Sequence, residues 1–305
     1  MLVTGANAGI GKELACQLGS RAEVDRVVLA CRDRERAEAA RRELEQRTGR
    51  AIFEVADLDS GDPASARALS AALAVPVDAV VLNAGGTGGS RPEALTASGT
   101  TTIFAVNVLG HVALVDALIE QRKLTRVVVM TGSEAARGVP ALLIKRPRFA
   151  RTDEHDLTAA IDGSCFSGRR FDASLAYAQA KYVGALWIGA MARRHPHLRF
   201  ATVSPGGTAG TRIGQDMPAL QRLVFERVVM GPVGARLGLA HPLSVGTARL
   251  TTAVLDPSFD GGRFYGSGAR SLTGPLVDQA TIFGDLAVVA FQDSADAAIH
   301  RFLNG

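Results

Sequence analysis

Tyr177 and Lys181 stand four residues apart in Tyr177-Ala178-Gln179-Ala180-Lys181, at the start of a long apolar stretch with helical periodicity. A spacing of four puts both side chains on one helix face. With three Tyr and four Lys in 305 residues, a Lys four positions after a Tyr arises in roughly 4% of shuffled chains. A free phenol must drop by about three pKa units, or about 4 kcal/mol, to supply phenolate at neutral pH. A neighbouring ammonium, joined by a positive nicotinamide, supplies that field in a desolvated pocket. The chemistry on offer is proton transfer to and from a substrate oxygen. Core packing is the competing reading of Tyr177 alone, since Val183-Gly184-Ala185-Leu186-Trp187 follow. Ser133, in Thr131-Gly132-Ser133, falls where a hydroxyl could polarise a carbonyl, or is an ordinary loop serine. Asn107 lies in the apolar run Phe104-Ala105-Val106-Asn107-Val108 and needs hydrogen-bond partners if buried. It either kinks its helix around a proton-relaying water or is a plain structural amide.

Elements able to position these groups recur along the chain. Apolar, branched runs at Leu2–Thr4, Val27–Cys31, Ala51–Val55, Ala79–Leu82, Arg126–Met130 and Arg199–Val203 each precede turn residues and a helical stretch. That alternation predicts an α/β fold of the Rossmann type: a doubly wound parallel sheet of about seven strands with helices on both faces. A ligand then sits beyond the carboxyl ends of the strands. No repeat or low-complexity linker divides the chain, so one domain over 1–305 is expected, with an insertion at about 135–172 and a lid at about 206–242. The lid is expected to hold an amphipathic helix near Met217–Met230.

The loops after these runs carry the binding candidates. Gly5, Asn7, Ala8, Gly9, Ile10 and Gly11 follow the first strand and open a helix, where tight glycine turns and free N–H groups suit a pyrophosphate; a bland tight turn is the alternative. After Ala30-Cys31 stands Arg32 instead of the acid that an NAD site offers to the ribose hydroxyls. Its planar fork suits a 2′-phosphate, with Arg34 or Arg36 assisting, so NADP(H) is preferred over NAD(H) unless Arg32 is merely solvated. Asp57 and Leu58 are placed to bond and cover an adenine, or Asp57 caps a helix. Asn83, Ala84 and Gly85 line the ribose side, or Asn83 braces neighbouring strands. Thr131 precedes Ser133, while Pro205, Gly206 and Thr208 let backbone approach a carboxamide, with Thr208 or Thr211 as hydroxyl partner; a loop stop is the alternative.

Composition narrows the classes. The chain is 47% hydrophobic and 21% charged, which excludes disorder as the main state. A net charge of +4, spread along the chain, gives nucleic-acid binding no support. No uncharged apolar run reaches the roughly 18 residues needed to cross a bilayer, and Met1–Gly5 is too short for the front of a signal peptide. A cytoplasmic protein without a membrane partner is expected. Cys16, Cys31 and Cys165 lack metal-ligand spacing, and the histidines show no nucleophile or metal arrangement.

The ordered set of Thr-Gly-x3-Gly-x-Gly, Asn-Ala-Gly, Asn, Ser and Tyr-x3-Lys resembles the short-chain dehydrogenase/reductase family across nearly the whole chain. The resemblance implies that Tyr177 is the acid/base, Lys181 lowers its pKa and holds the nicotinamide ribose, Ser133 positions the carbonyl and Asn107 supports a proton relay. It implies hydride exchange between the nicotinamide and the substrate carbon. Ala30-Cys31-Arg32-Asp33 is similar to the NADP-preferring branch that includes retinol dehydrogenases and light-dependent protochlorophyllide oxidoreductases. The long gap from Ser133 to Tyr177 and Phe171-Asp172 resemble the latter, whereas Ser204 and Gly207 depart from them around Pro-Gly. The expected activity is therefore carbonyl/alcohol interconversion on a hydrophobic small molecule, with activated double-bond reduction as the closer alternative and nucleotide sensing without turnover as the distant one. Homo-oligomers are common in the family, through the helices that carry Asn107 and Tyr177.

Overall fold

The computed structural model describes residues 1–142, 144–150, 152–209, 234 and 238–304. All six apolar runs become strands: β1 (Leu2–Thr4), β2 (Val27–Cys31), β3 (Phe53–Asp57), β4 (Val77–Leu82), β5 (Leu124–Thr131) and β6 (Arg199–Val203). Two more follow, β7 (Arg263–Gly266) and a two-residue β8 (Val277–Asp278). They form one sheet in the order β3-β2-β1-β4-β5-β6-β7-β8. β3 through β7 run parallel and β8 closes the edge antiparallel. Six of the strands are crossed over by helices because consecutive parallel strands need a connection long enough to return to the same end.

The helices are α1 (Gly9–Gly19), α2 (Arg34–Thr48), α3 (Pro63–Ala72), α4 (Thr102–Glu120), α5 (Glu154–Ile161), α6 (Ala173–Arg194), α7 (Leu243–Leu255) and α8 (Val289–Leu303). Two apolar layers result. Leu14 and Leu18 of α1, Leu44 of α2 and Leu250 of α7 cover one face. Leu69 of α3, Leu114 of α4, Trp187 of α6 and Ile299 of α8 cover the other. This is the doubly wound sheet that the alternating pattern predicts. Its winding reverses between β1 and β4, which opens a crevice beyond their carboxyl ends.

Sequence and structure differ in the insertion. Residues 135–172, expected as an irregular insertion, contain α5, capped by the Asp153 carboxylate on the His155 N–H and buried through Leu157, Ala160 and Ile161. The lid helix expected near residues 217–230, and Thr211, lie outside the described residues. Helix α4 is long and apolar enough by length and composition to cross a membrane, and most of it is buried inside the fold.

The carboxyl-terminal helix is fastened by charge as well as by packing. His300 Nε2 lies 3.0 Å from Asp116 Oδ2 on α4, and its Nδ1 lies 3.4 Å from the buried Asp296, which also pairs with Arg194 of α6. Hydrogen bonds to Asp116 and Asp296 push the imidazole up to about 10, so it is charged at neutral pH. A raised pKa contributes stability that is fully present below the ordinary histidine value of 6.5 and is lost as pH rises through about 10. His300→Gln should therefore lower the unfolding free energy by about 1–3 kcal/mol at pH 6. The gap from wild type should close as pH approaches 10 in urea titrations, and a gap independent of pH would contradict the assignment.

Candidate active site

The carboxyl ends of β1, β2, β4, β5 and β6 bring the sequence-flagged residues to one edge of the sheet. After β1 the chain turns through Gly5 (φ +65°) and Gly9 (φ +52°), conformations that disfavour larger residues. Helix α1 begins at Gly9 with no side-chain cap and no acidic residue in its first turn, so its amino-terminal N–H groups remain available to an anion. At Gly11 a Cβ would stand 2.3 Å from Gly5 O and 2.5 Å from Asn83 Nδ2, so only glycine permits this close crossing. Asn7, Ala8 and Ile10 are half-buried on the rim of the turn. The buried Cys31 sulfur takes hydrogen bonds from the Ala6 and Asn7 amides, and burial raises the thiol to about 11.

Asn83 acts as the brace that was one of its two expected roles: its Nδ2 donates to Thr4 O, and its own N–H and that of Ala84 donate to Thr4 Oγ1. The ring of His111 completes the junction. Its Nδ1 lies 3.3 Å from Asn107 O and its Nε2 lies 3.2 Å from Thr4 Oγ1. Burial lowers this imidazole to about 3, so it is neutral. A carbonyl can only accept, which places the proton on Nδ1 and leaves Nε2 to accept from the Thr4 hydroxyl. Thr4 and His111 were missed as site residues, and a buried histidine with no nucleophile nearby offered no signal for the role.

Asn107 sits in a π-helical stretch, Ala105–Leu109, inside α4. Its Nδ2 donates to Ile103 O and Gly86 O, each at 2.7 Å, and its Oδ1 accepts from Gly86 N–H. The amide therefore ties the widened helix turn to the loop after β4. Gly85 is squeezed between the same groups: a Cβ there would lie 2.4 Å from Asn107 Oδ1 and 3.7 Å from Lys181 Nζ.

Helix α6 starts on the Asp172 carboxylate, which accepts from Leu175 N–H, and four residues later presents Tyr177. Lys181 is buried. Its Nζ donates to Thr131 O at 3.0 Å and lies 5.6 Å from the centre of the Tyr177 ring. Burial lowers the ammonium to about 8. Ser133 Oγ accepts from Ala135 N–H. Burial drives the Tyr177 phenol up to about 12; the neighbouring Ser133 hydroxyl opposes this, and the nearby Glu134 carboxylate adds to it. The expected fall of the phenol requires a positive nicotinamide beside the Lys181 ammonium; in the protein alone, burial sets its value. Ile103, Phe166 and Ala176, with Phe171 and Leu175, make an apolar wall beside Tyr177.

The remaining candidates divide. Arg34 pairs with Asp57 at 3.0 Å and Arg36 with Asp33 at 3.1 Å, whereas Arg32 is exposed and no closer than 4.0 Å to Asp59. Asp57 does not cap a helix; Asp62 caps α3. Leu58 is 3% exposed and packs into the core. Thr131 Oγ1 is buried with no partner, an orphaned hydroxyl at the site's edge. Gly206 (φ +75°) follows Pro205, and the Thr208 hydroxyl bonds Pro205 O and Gly206 O, closing that turn where a bond to a carboxamide was expected. The loop also rests on residues that sequence reasoning missed: Glu134, Ser204, Arg249 and Ser267. Arg249 was readable in principle as the one charge in the otherwise uncharged segment of α7.

A glycine cradle, an uncapped helix start, an orphaned threonine hydroxyl and a free arginine after β2 fit a dinucleotide phosphate cofactor. Comparison with known proteins agrees with that geometry. A family model described as short chain dehydrogenase matches residues 1–143. Mouse (Mus musculus) retinol dehydrogenase 11 is 31% identical over 258 residues, covering 82% of this chain and 75% of the relative. Human (Homo sapiens) retinol dehydrogenase 13 is 27% identical over 238 residues, covering 76% of this chain and 65% of the relative. Among solved structures, a short chain dehydrogenase from Burkholderia cenocepacia in complex with NADP superposes with a TM-score of 0.59 at 23% identity, covering 86% of this chain and 93% of that one. An uncharacterized protein from Mycobacterium paratuberculosis gives a TM-score of 0.67 at 24% identity, over 98% and 92% of the two chains. With Tyr177, Lys181, Ser133 and Asn107 gathered at the carboxyl edge of a doubly wound sheet, the chain belongs to the short-chain dehydrogenase/reductase family of oxidoreductases.

Proposed function

We propose that this protein is an NADP(H)-dependent oxidoreductase that interconverts a carbonyl and an alcohol on a hydrophobic small molecule, with Tyr177 as general acid/base. The observation that carries the reading is the buried Lys181 ammonium, held on Thr131 O and 5.6 Å from the centre of the Tyr177 ring at the carboxyl edge of the sheet. When bound, the nicotinamide gives or takes the hydride. Ser133 is placed to hold the substrate oxygen by a hydrogen bond. Tyr177 Oη donates its proton to that oxygen in reduction and receives it in oxidation. Lys181, fixed by Thr131 O, keeps a positive charge beside the ring and reaches toward the ribose side of the crevice lined by Gly85 and Asn107.

The preference for NADP(H) rests on Arg32, exposed and loosely held, and on the absence of an acid at the end of β2. The names of the retinol dehydrogenases it resembles support an alcohol or aldehyde of apolar character, and the apolar wall of Ile103, Phe166 and Phe171 beside Tyr177 suits such a molecule. The reading includes a single functional unit acting in the cytoplasm on a small molecule, with neither nucleic acid nor membrane as partner.

Tyr177→Phe should lower NADPH-linked reduction of hydrophobic ketones and aldehydes by about 10²–10⁴-fold. Cofactor affinity, followed by NADPH fluorescence, should stay near wild type in that variant. Turnover that survives the substitution would remove Tyr177 from the reaction. Arg32→Ala should weaken NADPH about tenfold or more while leaving NADH nearly unchanged. Equal weakening of both cofactors would contradict the 2′-phosphate assignment.

A further inference from the structure

Glu134 immediately follows Ser133, and it is 5% exposed. A carboxylate so buried needs a partner and filled lone pairs. It has both. Oε2 accepts from the Ser204 hydroxyl, and Oε1 accepts from Ser267 N–H at 3.0 Å and lies 4.0 Å from Arg249 Nη1. Arg249, 9% exposed, also donates to Ser267 Oγ at 3.0 Å, Ser204 O at 3.4 Å and Gly274 O at 2.5 Å.

These contacts join three strand ends. Glu134 belongs to the 3₁₀ turn after β5, Ser204 leads into the Pro205–Gly206 turn after β6, and Ser267 directly follows β7. The chain of bonds continues to the turn itself, because Ser204 Oγ accepts from Gly206 N–H at 3.1 Å. A Cβ on Gly206 would stand 2.6 Å from Arg249 Nη1, so the guanidinium packs directly under that turn. The residue next to Ser133 is thus wired to the Pro205–Gly206 turn, which on the reading above would hold a cofactor's carboxamide end.

We propose that Glu134 and Arg249 are positioning residues, which fix the gap between the Ser133 turn and the Pro205–Gly206 turn and so hold the substrate oxygen in register with the cofactor. The inference rests on the carbonyl/alcohol reading above. Neither side chain exchanges a proton or a hydride. A buried ion pair suits the task because its bonds have few alternative arrangements in a low-dielectric interior, whereas an apolar contact would let the two turns slide.

Two variants test this. Glu134→Gln removes the charge and replaces the oxygen that accepts from the Ser204 hydroxyl with an N–H if its amide oxygen stays on Ser267 N–H; Ser204→Ala leaves the ion pair intact and removes the hydroxyl that joins Glu134 to Gly206 N–H. Both should lower kcat at least tenfold while the carbonyl KM changes less than about threefold, and both should weaken NADPH binding several-fold. Both should also speed hydrogen–deuterium exchange in residues 204–207 relative to the sheet interior. If Glu134→Gln does not fold, Ser204→Ala alone carries the test. Wild-type kinetics, NADPH affinity and exchange in Ser204→Ala would overturn the proposal. Binding and exchange are readable without turnover, so an inactive wild type would count against the carbonyl reading and leave this one to be decided by those two measurements.

Discussion

Loss of water at the carboxyl edge of the sheet governs everything the site does. The same burial moves Lys181 and Tyr177 in opposite senses, lowering the ammonium to about 8 and raising the phenol to about 12. Each change favours the neutral form, as desolvation must. The lysine stays largely charged at neutral pH because its ordinary basicity leaves room for the fall. The tyrosine stays a firm proton holder, a state suited to giving a proton to a developing alkoxide. Taking a proton from an alcohol demands a positive field that the protein alone does not complete, and an oxidised nicotinamide is a group that carries one.

The fold is what makes such burial affordable. β1 and β4 separate the two windings of the sheet, and the glycine crossing at Gly5 and Gly11 lets α1 approach that gap. Around it the polar groups are shared out with little waste. Thr4 serves Asn83, Ala84 and His111, while Asn107 serves the loop after β4 and its own widened helix turn. Glu134 and Arg249 do the same for the loops after β5, β6 and β7. The hydroxyls, amides and charges near the reacting centre are therefore fixed by long-range bonds as well as by local turns.

That division explains what could be read in the sequence. Strands, the glycine turn and the Tyr177/Lys181 face are written in local spacing, and each lies where the pattern puts it. Ser133 and Asn107 are in place for the same reason, since their positions follow from the strand and helix that carry them. Leu58 packs into the same apolar cluster as residues of α3 and β4, and the Thr208 hydroxyl bonds acceptors in its own turn, contacts that local spacing does not announce. Glu134 meets Ser267 across 133 positions, and Asp116 meets His300 across 184. No window of sequence contains both partners of such a pair. Helix α5 was hidden by the Pro, Gly and charged residues on either side, although Asp153 and the spacing of Leu157 and Ile161 hold its signal.

If the protein holds Tyr177 protonated and an oxidised cofactor shifts it, the phenolate absorbance will report both, titrated as wild type minus Tyr177→Phe with and without NADP+. The midpoint should lie near 12 without cofactor and fall below the ordinary tyrosine value near 10 when NADP+ is bound. A midpoint that does not move with cofactor, or one already near neutrality in the free protein, would contradict this.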